Sequence, residues 1–200
     1  KLTQGFENVV EMRNVTKIIG SFVANVLVNV QVRRGEMHAL LGENGAGKST
    51  MMNMLAGLLQ PTSGDILLNG EVVQITSPTT ANKLGIGMVH QHFMLVDAFT
   101  VTENIMLGSE ISRFGVLDRK KAKEEIVKIS EQYGLQVDPD AYVRDISVGM
   151  QQRVEILKTL YRGADVLIFD EPTAVLAPQE IEVLIVIMKE LIKEGKSIIL

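Results

Sequence analysis

The hydrophobic pattern divides the chain into short apolar runs that alternate with amphipathic stretches. Short runs rich in Val, Ile and Leu predict strands, and they lie at Val9–Met12, Val26–Val32, Met37–Leu41, Val166–Phe169 and Ser197–Leu200. Apolar residues spaced by three and four positions predict helices, which cover Lys48–Gly57, Asp118–Gln132, Met150–Tyr161 and Pro178–Glu194. Strands alternating with helices predict an α/β fold, in which helices cover both faces of a parallel sheet.

One further pair of strands departs from this alternation. The apolar run Asp65–Leu68 is followed by Asn69-Gly70 and then by Glu71–Val73. The Asn-Gly pair favours a type I′ turn, because both residues tolerate the positive φ angles that this turn requires. We therefore expect an antiparallel β patch beside the parallel sheet.

Composition narrows the class of protein. The 200 residues are 46% apolar, which is enough to bury the core of a domain. The net charge is −4 and no run of five or six like charges occurs, which disfavours binding to nucleic acid or to anionic lipid. The absence of cysteine excludes disulfides and a thiol nucleophile, and it is typical of a reducing compartment such as the cytosol.

The ends and the apolar runs of the sequence also carry expectations. No run approaches the eighteen or so apolar residues of a membrane span, and no signal sequence opens the chain, so we expect no crossing of a bilayer. The chain begins at Lys1 without a methionine and stops at Leu200 inside a predicted strand. We therefore expect it to be part of a longer protein.

A complete phosphate-binding motif lies between a predicted strand and a predicted helix. Gly42-Glu43-Asn44-Gly45-Ala46-Gly47-Lys48-Ser49 matches G-x-x-x-x-G-K-[ST]. In this motif backbone N–H groups surround phosphate oxygens, Lys48 neutralises β- and γ-phosphate charge, and the Ser49 hydroxyl ligates Mg²⁺. A glycine-rich turn with an exposed lysine is the alternative, which the full motif in this context disfavours. We predict that the segment from Gly42 to Thr50 binds ATP with Mg²⁺.

Two carboxylates follow the apolar strand Val166–Phe169. The strand ends in Asp170 and Glu171, and the carboxyl ends of strands in a doubly wound sheet form its ligand crevice. Asp170 is predicted to join the Mg²⁺ shell, and Glu171 to polarise the attacking water as general base. A solvated Asp-Glu pair that caps the next segment is the alternative, and the upstream P-loop makes it less favoured.

The octet Ile146-Ser147-Val148-Gly149-Met150-Gln151-Gln152-Arg153 resembles the LSGGQ signature of the ATP-binding cassette (ABC) ATPases. Val148 and Met150 replace a glycine and a glutamine of the signature, while Ser147 and Gly149 are kept. A serine hydroxyl and glycine N–H groups at a helix N-terminus can bind a γ-phosphate. In the family this phosphate belongs to the ATP of the opposite cassette, so the resemblance implies nucleotide binding by Ser147, Val148, Gly149 and Met150. An ordinary Ser-capped helix is the alternative for the octet taken alone.

The resemblance extends over nearly the whole chain and implies a domain organisation. Residues 1–91 and 146–200 would form a RecA-like P-loop NTPase core with its antiparallel β patch, truncated at the C-terminus. Residues 92–145 would form a helical subdomain that contacts a membrane permease. Gln91, after Val89-His90, resembles the Q-loop glutamine that touches Mg²⁺ and the water. The alternative, a metal site at His90 and His92, is less favoured because no third ligand is evident.

Three features depart from the family pattern. Ile19 stands near where an aromatic ring stacks on adenine, with Phe22 as a shifted substitute, and Ala177 stands where the D-loop ends in aspartate. The switch histidine of the family would follow the strand that begins at Ser197, beyond Leu200. With these departures, and because hydrolysis in the family needs a second cassette, the chain alone is expected to be monomeric and nearly inactive.

The resemblance points to a sugar or nucleoside importer, because of residues 147–156 and of Tyr161-Arg162-Gly163-Ala164-Asp165. It implies an ATPase at the cytoplasmic face of the cell membrane. Its partners would be transmembrane permease subunits, a second ATP-binding cassette in the same long chain or in a homodimer, and indirectly a substrate-binding protein. The alternative is a soluble ABC-type ATPase of DNA repair or translation, which the acidic charge disfavours. A P-loop kinase or GTPase would need an acceptor lid or a guanine-reading Asn-Lys-x-Asp, and neither occurs.

Overall fold

The computed structural model describes residues 7–40, 46–90, 94–107 and 118–200. The chain divides into two compact units. The first comprises the residues up to Met88, Asp165–Asp170 and Ile192–Leu200, and the second comprises Val89–Ala164 and Glu171–Leu191.

The regular elements follow the predicted alternation. The strands are β1 Asn8–Ile19, β2 Phe22–Arg33, β3 Met37–His38, β4 Ser63–Leu68, β5 Glu71–Val73, β6 Ile86–Val89, β7 Val166–Phe169 and β8 Ser197–Ile199. The helices are α1 Ala46–Leu55, α2 Pro78–Lys83, α3 Val101–Met106, α4 Arg119–Gln132, α5 Val148–Tyr161 and α6 Pro178–Lys193, and one 3₁₀ turn covers Val143–Asp145.

The first unit contains an antiparallel sheet of four strands in the order β2-β1-β4-β5. The predicted hairpin is present as β4 and β5, and Asn69 and Gly70 have φ angles of +50° and +81°. Strands β1 and β2 are longer than the two apolar runs that predicted them. Their pairing shifts register between Met12 and Val15, and Asn29 closes this irregularity by accepting from the Asn14 backbone N–H at 3.1 Å.

The second sheet of the first unit has the order β3-β8-β7-β6. Strand β8 pairs in parallel with β3 on one side and with β7 on the other. All four residues of β7 are buried, as expected for a strand covered on both faces. Since parallel strands share a direction, the carboxyl ends of β3 and β7 lie at the same edge of this sheet.

One hydrophobic core serves the first unit. It is built from β1, the C-terminal half of α1 and residues of further strands in both sheets. Among its members are Val15, Met52, Met54, Ile168 and Ile199. Helix α1 ends before Gly57, whose φ angle of +81° and bond to the Met54 carbonyl at 3.3 Å terminate it where the sequence predicted. The core therefore fixes the helix that follows the phosphate-binding motif.

The second unit is mainly helical. Asp118 caps α4, because its carboxylate accepts from the Lys121 N–H at 3.1 Å, and Ala122 and Ile126 face inward at the predicted spacing. Helix α6 buries Leu184, Ile187, Met188 and Leu191. Helices α2 and α3 have only six residues each, too few to give a helical period in the sequence, so we did not predict them.

None of the helices that the structure describes is both long and apolar enough to span a membrane. The α/β class is confirmed by the two sheets and six helices of the described residues. The division of the chain at residues 92–145 stays a prediction. In the structure the second unit also takes in α5 and most of α6.

Candidate functional site

The phosphate-binding motif leads directly into α1 in the first unit. Gly47 and Lys48 lie in the first turn of α1, which carries no acidic residue, and Ser49 is exposed while Thr50 is buried. The first N–H groups of a helix have no partner within it, and the helix dipole places partial positive charge there. Together with the Lys48 ammonium, these donors form a site that fits a phosphate group.

Strand β2 fixes the start of this helix. The Asn25 side-chain amide donates to the Gly47 carbonyl at 3.1 Å, and Asn25 is buried. A β-carbon on Gly47 would lie 3.2 Å from the Ala24 carbonyl oxygen. The backbone of the motif therefore packs so closely on β2 that a side chain at position 47 would require a shift. The sequence alone did not reveal this contact, since Asn25 lies 22 positions before Gly47.

Asp170 directly follows β7 in the same unit, at the sheet edge where β3 also ends. It is half-buried, whereas the next residue, Glu171, is exposed and begins the second segment of the second unit. The Ser49 hydroxyl and the Asp170 carboxylate are oxygen ligands of the kind that Mg²⁺ prefers. The donor set that the first unit presents, a lysine, helix amides, a hydroxyl and a carboxylate, thus suits MgATP.

Glu171 has an unusual backbone. Its φ angle is +43°, in the left-handed region that costs a side-chain-bearing residue about 1–2 kcal/mol. The following residue is Pro172, whose ring disfavours helical angles at the residue before it. The Glu171 carbonyl accepts from the Ala174 N–H at 3.3 Å, which closes a turn. Strained residues of this kind concentrate at functional sites.

The signature-like octet starts α5 in the second unit. Ser147 caps the helix, since its Oγ accepts from the Met150 N–H at 3.2 Å, and both Ser147 and Val148 are exposed. The capping bond uses a lone pair of the hydroxyl and leaves its proton free to donate. The amides of Val148 and Gly149 belong to the first turn and have no acceptor within the helix, although Gly149 itself is buried.

The side chain of Glu180, from the first turn of α6, covers one flank of this α5 turn. A β-carbon built on Gly149 would lie 2.3 Å from Glu180 Oε2 and 2.8 Å from its Cδ. Glu180 Oε2 is buried and has no hydrogen-bond partner among the residues that the structure describes. An alanine at position 149 would therefore displace the end of the Glu180 side chain.

Two buried side chains of α5 reach backbone groups of other segments. The Gln152 amide donates to the Pro172 carbonyl at 2.7 Å, and Glu155 Oε1 accepts from the Met94 N–H at 3.1 Å. Gln152 is 4% exposed and Glu155 is 3% exposed. Both residues lie in the segment 147–156 that resembles the family, but neither of them was assigned a role from the sequence.

A lysine one turn further along α5 is electrostatically perturbed. Burial lowers the pKa of Lys158, the Glu155 carboxylate acts in the opposite direction, and the Arg162 guanidinium lowers the pKa further. Burial also raises the pKa of Tyr161, as does the charge of Glu125. These shifts belong to the packing of α5 in the second unit, away from its N-terminal turn.

Several predicted site residues lie outside the described residues. They are Gly42, Glu43, Asn44, Gly45 and Gln91. Ala46 is the first residue of α1, and His90, next to the predicted Q-loop glutamine, is half-buried. The roles assigned to these residues stay predictions.

The departures from the family pattern have clear positions. Ile19 and Phe22 are cross-strand partners at the tip of the β1–β2 hairpin, and they are 47% and 57% exposed. Residues directly opposite each other project from the same face of a sheet, so the two side chains form one apolar surface. Ala177 occupies the position before α6, where its carbonyl accepts from the Glu180 N–H at 2.9 Å, and it offers no side-chain cap.

Comparison with known proteins places this chain in a family. Residues 27–174 match the model of the family described as ABC transporter. The chain is 66% identical to the nucleoside import ATP-binding protein NupA of Lactococcus lactis, over 97% of this chain and 38% of that protein. It is also 66% identical to the guanosine import ATP-binding protein NupO of Bacillus subtilis, over 96% of this chain and 38% of that protein.

A ribose import ATP-binding protein, RbsA 3 of Rubrobacter xylanophilus, is 44% identical over 96% of this chain and 39% of its own length. The chain thus spans well under half the length of these three relatives.

Solved structures agree with the fold. A cassette titled cbiO1 of Clostridium perfringens, part of the complex cbiONQ, superposes with a TM-score of 0.81 at 28% identity, over 96% of this chain and 77% of that one. An ATP-binding cassette in its ADP conformation gives a TM-score of 0.85 at 24% identity, over 96% and 80% of the two chains. The predicted P-loop NTPase fold is therefore confirmed.

Proposed function

The chain belongs to the ABC transporter family, and on that premise we propose that it binds and hydrolyses ATP to drive a membrane importer of nucleosides. The observation that carries this proposal is the complete phosphate-binding motif, whose last residues start a helix with a lysine and no acid in its first turn. The importer names of the relatives support the transport role.

Each predicted site residue would have its own role in binding or hydrolysing ATP. When bound, MgATP supplies the phosphoanhydride bond whose hydrolysis releases the energy for transport. Lys48 and the first-turn amides of α1 would hold and neutralise its phosphates, and the Ser49 hydroxyl and the Asp170 carboxylate would hold the Mg²⁺. As the family resemblance implies, Gln91 would contact the Mg²⁺ and the water, and Glu171 would accept a proton from that water as general base. At the hairpin tip, the Phe22 ring and Ile19 offer an apolar surface to the adenine.

The second phosphate-facing element acts on another cassette. Ser147, with the first-turn amides of Val148 and Gly149, would present donors that fit the γ-phosphate held by a partner, whereas the predicted donor Met150 N–H already donates to Ser147 Oγ at 3.2 Å. That partner is a second ATP-binding cassette, either in the same long polypeptide or in a second copy. Closure of the two cassettes would pull on the permease subunits, and a substrate-binding protein would deliver the solute to them. The protein would then lie at the cytoplasmic face of the membrane.

Nucleosides are favoured over simple sugars because the identity to two nucleoside importers is 66%, against 44% for a ribose importer. A soluble ATPase of DNA repair or translation is disfavoured by the net charge of −4 and by the importer names of these relatives.

Uptake in cells tests the proposal. Cells lacking the full-length protein are complemented with the parent, with Lys48→Ala or with Lys83→Ala, which alters an exposed lysine of α2. Uptake of labelled guanosine and of labelled ribose is then measured. We expect the parent and Lys83→Ala to restore guanosine uptake and Lys48→Ala not to restore it. If the parent restored only ribose uptake, the transported solute would be a sugar and not a nucleoside. If the parent restored neither uptake, the import role would be rejected.

A further inference from the structure

The turn that carries Glu171 is held by a buried hydrogen bond from α5. The Gln152 Nε2 group donates to the Pro172 carbonyl oxygen at 2.7 Å, and Gln152 is 4% exposed. Twenty residues separate the two partners in the sequence, and both lie in the second unit. The bond is short for an N–H···O pair, so it fixes the carbonyl next to Glu171 closely.

The backbone of Glu171 needs such support. A φ angle of +43° at a residue with a side chain, immediately before a proline, is a conformation that persists only where the surroundings impose it. The Glu171 carbonyl is bound by the Ala174 N–H at 3.3 Å within the turn itself. The Gln152 bond adds support from outside the turn.

Gln152 also belongs to the first two turns of the helix that Ser147 caps. Helix α5 begins at Val148, so Gln152 lies five residues after the Ser147 hydroxyl. Among the described residues, the side chain of its neighbour Gln151 bonds only to the Val143 and Ile146 carbonyls, at 3.4 Å each, and does not reach the Glu171 turn. The two adjacent glutamines therefore have separable contacts.

We propose that Gln152 is a positioning residue for Glu171, and that it transmits the position of the α5 N-terminus to the general base. The proposal rests on the proposed function, in which Glu171 activates the attacking water. Because α5 presents Ser147 and Gly149 to the partner cassette, the bond from Gln152 to Pro172 makes the conformation of Glu171 depend on the placement of that same helix.

The test uses the full-length protein assembled with its membrane partner, in four forms: the parent, Gln152→Met, Gln151→Met and Glu171→Gln. Methionine keeps the length of glutamine and removes the amide donor. We expect Gln152→Met to lower kcat by on the order of 10- to 100-fold, as a misplaced catalytic group does, with unchanged affinity for a fluorescent ATP analogue. Gln151→Met should leave both quantities as in the parent.

The double variant Gln152→Met/Glu171→Gln separates positioning from general destabilisation. If Gln152 acts through Glu171, its substitution has no further effect on single-turnover hydrolysis once the carboxylate is gone. If Gln152→Met lowered the rate by the same factor in the Glu171→Gln background as in the parent, the proposal would be overturned. Equal rates for Gln152→Met and Gln151→Met, or a loss of nucleotide affinity in Gln152→Met, would also overturn it. If Gln152→Met is unfolded at the assay temperature, as circular dichroism would show, Gln152→Leu tests the same prediction.

Failure of the proposed function has a different signature. In that case the parent would hydrolyse no ATP, or Glu171→Gln would hydrolyse it at the parental rate. Either result removes the general base and overturns the positioning role with it. A parent that depends on Glu171, together with an unaffected Gln152→Met, overturns the positioning role alone.

Discussion

The Glu180 side chain lies across the Cα atom of Gly149, so that a β-carbon on Gly149 would come within 2.3 Å of Glu180 Oε2. Gly149 is not among the residues with positive φ. Its lack of a side chain therefore serves the packing of α6 against the first turn of α5, and any larger residue must displace a carboxylate whose Oε2 is already buried. The glycine of the signature-like octet is thus explained by contacts within one unit.

Gly149→Ala must displace the end of the Glu180 side chain, but alanine also favours the helix by about 1 kcal/mol, so we expect a net loss of stability of no more than about 1 kcal/mol. Glu180→Ala removes the opposing side chain and should restore most of this loss in the double variant. Glu182→Ala, which changes an exposed glutamate of the same helix, should restore none of the loss when it is combined with Gly149→Ala. Urea unfolding of the four variants measures these differences, and an equal loss with and without Glu180 would show that the contact does not require the glycine.

Glu155 anchors the segment that begins at Met94. Glu155→Ala leaves the Met94 N–H without its acceptor at 3.1 Å, and we expect a loss of about 1–3 kcal/mol in the free energy of unfolding. Glu131→Ala, at an exposed position of α4, should stay within about 0.5 kcal/mol of the parent. Chemical denaturation checks both. A change at Glu155 no larger than that at Glu131 would contradict the anchoring role.

The lowered pKa of Lys158 predicts how stability depends on pH. Between its depressed pKa in the folded chain and the ordinary value of 10.5, the unfolded state binds a proton that the folded state has lost. The free energy of unfolding therefore rises with pH in that window. Lys158→Met should flatten the rise, whereas Lys120→Met, at an exposed position, should not.

Urea titrations that end below pH 10.0 measure this effect, because the raised pKa of Tyr161 acts with the opposite sign above that value. For a tyrosine whose folded pKa is raised, the folded state keeps the proton longer, so stability falls with increasing pH there. The same rise in the parent and in Lys158→Met would contradict the assignment to Lys158.

The two carboxylates after β7 should give different phenotypes in the full-length, partner-bound protein. Asp170→Asn is expected to weaken Mg²⁺-dependent nucleotide binding, because it removes a charge from the metal shell. Glu171→Gln is expected to keep nucleotide bound and to slow hydrolysis by about 10²- to 10⁴-fold, the range of a general base. Nucleotide affinity and single-turnover hydrolysis separate the cases, and the reverse pattern would exchange the two roles.

The sequence predicted those features that depend on local pattern. The apolar run of β7, the type I′ turn at Asn69-Gly70, the Asp118 cap and the glycine after α1 all follow from residues close together in the chain. The sequence also predicted the P-loop NTPase fold, because the phosphate-binding motif, the signature-like octet and the carboxylate pair after β7 together resemble the ABC ATPases.

Features that depend on contacts between distant segments were not predictable in this way. The length of β1 and β2 is set by their pairing, which continues past polar residues and irregular register where alternation fails. The bonds from Gln152 to Pro172 and from Asn25 to Gly47 span about twenty residues each, and nothing in the local pattern distinguishes these side chains from ordinary helix or strand positions. The strain at Glu171 follows from the turn that it enters, and its residue type gives no sign of it.

The central claim, that the first turn of α1 binds the phosphates of MgATP, is tested most directly by calorimetric titration of the 200-residue chain with MgATP. We expect saturable binding to the parent and to Lys83→Ala, and binding to Lys48→Ala that is weaker by roughly 1.5–3 kcal/mol, the value of a hydrogen bond to a charged group. That difference corresponds to a loss of affinity of about tenfold or more. Equal affinity of the parent and Lys48→Ala would contradict the phosphate-binding role of this helix.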